Sequence, residues 1–273
     1  MTPSKQEIFS KVPEVTLAFW IIKILATTLG ETGGDTISMS MNLGYLVGTG
    51  IFAVIFLAAV LIQIDTKKFH PVIYWTTIIA TTTVGTTLAD FADRSLGIGY
   101  AGGTMILFAL LMTSLFVWKR TLGSVAVDTV SSPRTEMFYW VTIMFSQTLG
   151  TALGDYVADS RNEIPAGLGL GYGGSALIFG TMLALIALAY FRTKISHTVL
   201  FWAAFILTRP LGAVVGDLLD KPVSKGGLEL SRYSASATLI GLIVFCIFFF
   251  KHNPAIKHPA PVEEAEEALE VEG

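Results

Sequence analysis

Four aspartates, Asp35, Asp90, Asp155 and Asp217, each stand fifteen residues after a tryptophan, at the end of a long apolar run. Carboxylates in such a setting can hold a proton or a small hard cation, because oxygen ligands suit Mn, Mg or Ca better than soft metals. Glu31, four residues before Asp35, adds a fifth acid. Seven residues after each tryptophan comes a polar residue: Thr27, Thr82, Gln147 and Arg209. Lys23 and Arg209 are the only basic residues well inside the apolar runs. An ion at membrane depth is costly and is expected to be paired or to line a pathway. Acids from another unit are the expected partners of both. Four like carboxylates brought together repel, unless a cation or shared protons relieve them. The aspartates are therefore read as a cation or proton site, with interfacial helix-end residues as the bland alternative.

These residues belong to one unit repeated four times. Trp20, Trp75, Trp140 and Trp202 are followed by Gly30, Gly85, Gly150 and Gly212, then by Gly34, Ala89, Gly154 and Gly216, and at once by the aspartates. The pattern is W-x9-G-x3-[GA]-D, found four times without a gap. At about 100° per residue, the tryptophan, the +7 residue, the first glycine and the aspartate share one broad helix face. A polar face on an apolar helix should look inward. The paired glycines let helix backbones approach closely, which is how helices associate in lipid. A tyrosine, Tyr45, Tyr100, Tyr172 or Tyr233, opens a second apolar run in each copy.

Two runs per unit predict an all-α membrane protein of eight transmembrane helices, over 14–35, 44–63, 71–90, 100–118, 136–156, 172–191, 197–218 and 233–250. The repeats fall at about 13–69, 70–132, 133–195 and 196–250. Residues 1–12 form a cytoplasmic N-terminal segment. Residues 251–273 form an acidic cytoplasmic tail expected to be disordered. An even helix count makes the repeats parallel, around a pseudo-symmetry axis along the membrane normal. The composition agrees: 52% of the 273 residues are hydrophobic and only 14% are charged, against about a quarter charged in soluble domains. Eleven Lys and Arg lie at one set of ends and five at the other. This predicts that both termini are cytoplasmic. The N-terminus lacks a signal peptide's apolar region, so the first span is expected to be kept.

Other residues are read more plainly. Asp93, Asp159 and Asp220, with Arg94, Arg161 and Lys221, read as solvated loop charge. The tryptophans suit the cytoplasmic belt and the tyrosines the outer belt. Cys246 reads as a small buried or lipid-facing side chain. No H-x3-H, HExxH, G-x-S-x-G or phosphate-binding loop is present, and no basic-aromatic patch for nucleic acid. No enzymatic activity and no cofactor is expected.

The fourfold W-x9-G-x3-[GA]-D unit resembles a bacterial inner-membrane family built of four tandem repeats of unknown function. The resemblance covers roughly residues 12–250. It implies architecture and location, and no substrate. "GETGGDT", residues 30–36, is also similar to the acidic Glu-x-Gly-Asp signature of divalent-cation exporters of the manganese/calcium type, with one extra glycine between the elements.

The expectation is a secondary transporter for a small cation, foremost a divalent metal such as manganese, exchanged for protons. Asp35, Asp90, Asp155, Asp217 and Glu31 would hold the ion. Thr27, Thr82, Gln147, Lys23 and Arg209 would line its path, the two bases holding acids while the site is empty. Two alternatives stand beside it: a small organic anion carrier using Arg209 and Lys23, and a non-transporting scaffold or sensor whose tail recruits a partner. The lipid bilayer is the one surrounding partner expected in every case.

Overall fold

The structure is a computed structural model and describes residues 9–256. The acidic tail beyond residue 256 lies outside the described residues. Eight long helices carry the fold: α1 Leu17–Asp35, α2 Gly44–Asp65, α3 Pro71–Asp90, α4 Tyr100–Leu122, α5 Pro133–Ala158, α6 Gly171–Arg192, α7 His197–Asp220 and α8 Arg232–Phe249. Their starts follow local chemistry. Thr16 caps α1 by accepting from the Phe19 amide. Ser132 and Thr135 form a capping box on α5, with Pro133 in the first turn, where its missing N–H costs nothing. α7 runs on through Pro210, which removes one rung of its ladder without ending it.

α1 packs on α3, α3 on α5, α5 on α7, and α7 back on α1. The odd helices thus close a circuit. Each even helix packs on the odd helix of the next repeat: α2 on α3, α4 on α5, α6 on α7 and α8 on α1. The even helices are outermost. Only 11% of the apolar stretch is buried in α2 and α6, against 72% in α3 with its following turn and 67% in α7.

Six of the helices, α2, α3, α4, α6, α7 and α8, are long and apolar enough to cross a membrane. They mark a multi-pass membrane protein. α1 and α5 fall outside that set, where eight spans were expected. Lys23, Glu31 and Asp35 in α1 and Gln147 and Asp155 in α5 lower their apolarity, and these side chains are buried within the protein.

Two features depart from the sequence reading. Asp35 and Asp90 are each followed by a five-residue π-helical turn, Thr36–Ser40 and Phe91–Ser95. The chain ends also pair. Strand β1, Phe9–Pro13, runs antiparallel to β2, Pro254–Ile256. Part of the segment expected to be a disordered tail is therefore a strand, because its backbone groups find partners on β1. Lys11 anchors this ribbon. Its Nζ donates to Gln63 O at 3.1 Å and Ile64 O at 2.9 Å, at the end of α2, and pairs with Glu136 on α5 at 2.6 Å.

At the end of the bundle beside this ribbon the core is aromatic. The residue before each motif tryptophan packs on the tryptophan of the next repeat. Ring centroids are 5.4 Å apart for Phe19–Trp75, 5.8 Å for Tyr74–Trp140, 6.3 Å for Tyr139–Trp202 and 5.8 Å for Phe201–Trp20. Trp75, Trp140 and Trp202 are buried and Trp20 is half-buried. Trp75, Trp140 and Trp202 therefore pack at the seams between repeats and do not face outward, as a belt would require. Aromatic pairs gain from edge-on contact and area burial, and a closed circuit of four offers both at every seam.

Candidate functional site

Beyond the aromatic layer, the motif positions stack in tiers along the odd helices. The +7 residue of each repeat lies against the first motif glycine of the repeat before it. Thr82 meets Gly30, Gln147 meets Gly85, Arg209 meets Gly150, and Thr27 meets Gly212. A methyl at any of the four glycines would press on its neighbour's side chain, at 3.1 Å or closer. The next tier works the same way: Thr86 faces Gly34, Ala213 faces Gly154, and Glu31 faces Gly216. The spacing of the motif is the spacing of these seams. The small residues are there because a side chain of the next helix needs the room.

Arg209 lies at the +7 tier, fully buried. It pairs with Glu31 at 3.1 Å and donates to the hydroxyls of Thr86 and Thr151. Glu31, Thr86 and Thr151 are the +11 residues of the first three repeats. One guanidinium thus ties three units to the fourth, and Glu31 is the acid partner expected for Arg209. Lys23 has no such acid. Its Nζ lies 4.1 Å from the centroid of the Phe205 ring and has no hydrogen-bond partner among the described residues. The ring face replaces the expected carboxylate, since it attracts a cation electrostatically. Thr82 Oγ1 and both polar atoms of the Gln147 side chain are also buried without partners among the described residues.

The four motif aspartates are buried and divide into two pairs, each bridged by a cation. Lys221 joins Asp35 at 2.6 Å to Asp217 at 3.0 Å. Arg94 joins Asp90 at 2.9 Å to Asp155 at 2.9 Å, and reaches Asp159 at 3.6 Å. Burial works against the charge on Lys221, but Asp217 and Asp35 outweigh it and hold the amine protonated well above its ordinary range. Glu31 links the pairs. It offers an oxygen within 4.8 Å of both Asp155 and Asp217, and within 4.8 Å of both Asp35 and Asp90. These triads, and the third formed by Asp35, Asp217 and Asp220, have the oxygen donors a hard cation needs.

The second acids are not solvated loop charge. Asp93 and Asp220 are buried. Asp220 accepts from Arg232 Nε at 3.0 Å. Asp159 accepts from Tyr100 at 2.6 Å and from Tyr172 at 3.3 Å. Tyr100 and Tyr172, read as outer-belt residues, are buried and turn their hydroxyls to this acid. Loop residues Arg94 and Lys221 were read as surface charge and are the bridges of the site. Each stands four residues after its own motif aspartate, a spacing that brings Arg94 to Asp90 and Lys221 to Asp217, whereas the second aspartate of each bridge comes from another repeat and leaves no local signal. The aromatic residue before each tryptophan, Phe19, Tyr74, Tyr139 and Phe201, recurs in all four copies and is the sequence signal for this aromatic circuit. Trp118, outside the motif, is fully buried against Tyr139 and Trp202.

The layer holds Glu31, Asp35, Asp90, Asp93, Asp155, Asp159, Asp217 and Asp220, against Arg94, Arg209, Lys221 and Arg232. Acids outnumber bases two to one. Uncompensated carboxylates in a buried layer must take up protons or cations.

No curated protein and no solved structure matches the chain. A family described as Repeat of Unknown Function (DUF347) matches it four times in tandem, at residues 18–69, 73–124, 138–196 and 200–252. With most of its length covered by four consecutive copies of that repeat, the chain belongs to the DUF347 family.

Proposed function

We propose that this protein is a secondary transporter for a small cation, of the class of Mn2+, exchanged for protons. All eight helices cross a bacterial inner membrane in this reading, as four parallel repeats about an axis along the membrane normal, with both termini cytoplasmic. The closed circuit of odd helices and the pairing of β1 with β2 support that arrangement. So does the excess of Lys and Arg at the same ends.

One observation carries the functional reading: the Glu31 carboxylate lies within reach of Asp35 and Asp90, and of Asp155 and Asp217, in a buried layer with more acids than bases. While no cation is bound, Lys221 and Arg94 hold the four aspartates. An incoming cation takes oxygen ligands from those ion pairs, and protons leave or return to keep the charge in balance. The aromatic tier closes the far end of the same column, with the Tyr74 and Tyr139 hydroxyls 2.6 Å apart. Passage requires that tier to part, as alternating access demands.

The test is Mn2+ flux into proteoliposomes under an imposed pH gradient. Glu31→Gln, Asp155→Asn and Asp217→Asn should each lower the rate more than tenfold. Wild-type rates in all three variants would remove the assignment. The organic anion reading draws support from Lys23 alone, since Arg209 is already engaged by Glu31, Thr86 and Thr151. Flux of a small carboxylate that is lost in Lys23→Met, with Mn2+ flux absent, would favour it instead.

A further inference from the structure

Three positions after each motif tryptophan stand Lys23, Ile78, Ile143 and Phe205. All four are 0% exposed. Ile78, Ile143 and Phe205 belong to the same buried apolar cluster as the aromatic circuit. Three copies thus put a plain apolar side chain at this tier, and repeat one alone puts an amine there. Along the odd helices the tier falls between the aromatic circuit and the polar tier of Thr27, Thr82, Gln147 and Arg209. The Lys23 Nζ meets the face of the Phe205 ring and finds no hydrogen-bond partner among the described residues.

The groups around this amine are few. α3, α7 and α8 pack on α1. α3 carries Tyr74, whose hydroxyl is held by that of Tyr139. α7 carries Arg209, already paired with Glu31. α8 carries Cys246. On α1 itself the nearest carboxylate is Glu31, eight residues on, a rise of about 12 Å, with the motif aspartates one turn further. Both protonation states of Lys23 are accessible in this setting. The ring face attracts an ammonium ion, and the wall of Ile78 and Ile143 suits the free amine. A buried lysine can change its charge, whereas the arginine one tier away cannot.

We infer that Lys23 carries one proton of the exchange, and that a cation held in the acid layer expels it. The inference rests on the transport reading and names its coupling residue. Without a metal ion, the surplus of carboxylates in the layer draws a proton to Lys23. A divalent cation reverses that field. At about 12 Å and an effective dielectric of about 20, its repulsion weakens proton binding at Lys23 roughly a hundredfold. A cation ligated by Glu31 also takes that carboxylate from Arg209, and so adds the guanidinium charge to the repulsion. An N–H bond of the ammonium then breaks, its electron pair stays on nitrogen, and the proton passes to water on the open side. Thr82 Oγ1 and the Gln147 amide, buried without partners among the described residues, are polar stations between Lys23 and the acids. Metal and proton exclude one another along one column, as exchange requires.

The experiment uses the full chain in proteoliposomes that hold a pH-sensitive dye. It reads Mn2+ exchange with Mn2+ on both sides, Mn2+ uptake under an imposed pH gradient, and the lumenal pH change per Mn2+ carried. Gel filtration and near-UV circular dichroism check the fold of each variant. Lys23→Met keeps the length of the side chain and removes the amine. It should exchange Mn2+ at near the wild-type rate, yet lose gradient-driven uptake at least tenfold together with part of the pH change. A merely structural lysine would lower both rates alike. Phe205→Leu removes the ring face and should move the midpoint of the pH dependence of uptake to lower pH by about one pH unit. Wild-type proton movement per Mn2+ in folded Lys23→Met would overturn the proposal. If Lys23→Met does not fold, an unmoved midpoint in Phe205→Leu overturns it instead. Proton release in detergent separates this failure from that of the transport reading. Mn2+ added to wild type in unbuffered solution should release up to one proton more than it does from Lys23→Met. That difference, with no Mn2+ flux by wild type, leaves the antagonism standing and removes the carrier. Coupled flux by wild type, with no difference in Lys23→Met, does the reverse.

Discussion

Gly150→Ala should destabilise this protein, although alanine is the better helix former. Gly150 lies in α5 against the aliphatic stem of Arg209 in α7. A methyl there would sit on Arg209 Cβ and Cγ and 3.1 Å from its carbonyl carbon. These are not the free end of a long side chain. Arg209 is fixed beyond its stem by Glu31, Thr86 and Thr151, so relief requires α5 and α7 to move apart. Overpacking of this kind costs about 1–3 kcal/mol. Alanine returns up to about 1 kcal/mol through helix propensity. The net loss is about 1–2 kcal/mol, a roughly five- to thirty-fold fall in the ratio of folded to unfolded protein. Gly241→Ala is the control. It makes the same change in α8, where an added Cβ meets nothing within 4 Å, so only the propensity gain remains. The assay is denaturant titration in mixed micelles followed by circular dichroism, wild type against the two variants. If Gly150→Ala proves as stable as Gly241→Ala, the seam between +7 side chains and motif glycines is not close-packed, and the structural account of the repeat fails.

The Glu31–Arg209 pair should be strongly non-additive. Arg209→Met leaves a buried carboxylate unpaired and should cost about 3–5 kcal/mol, while Arg209→Met combined with Glu31→Gln should recover most of that loss in the same titration. In the aromatic tier, Tyr74→Phe removes the hydrogen bond to Tyr139 and strands one buried hydroxyl, for about 1–3 kcal/mol. The double change Tyr74→Phe with Tyr139→Phe should lie closer to wild type than the single one, and a double-mutant cycle on thermal melting checks it.

How much of this was legible beforehand varies by level. The helix positions were readable because apolar runs and their polar punctuation are local properties of the chain. The predicted 71–90 coincides with α3, and 44–63 falls two residues short of the end of α2. The inward face was readable too, since Trp, +7, Gly and Asp fall on one side of a helix by geometry alone. The π-helical turns after Asp35 and Asp90 were not. They are set by how the chain leaves one helix to reach the next, and no periodicity marks them. The strand pairing of Phe9–Pro13 with Pro254–Ile256 joins segments about 240 residues apart, beyond any local signal.

The sequence by itself determined the four units, their apolar shells and the acids they carry inward, because each follows from spacing within a single helix. Only the tertiary structure decided the partners. It set Arg209 against Glu31, carried Lys221 from its neighbour Asp217 across to Asp35 and Arg94 from its neighbour Asp90 across to Asp155, and left Asp93 with no hydrogen-bond partner among the described residues. The reason is that charge pairing acts through space between different repeats. Copies of one motif look alike along the chain, and differ only once the ring has brought their unlike residues face to face.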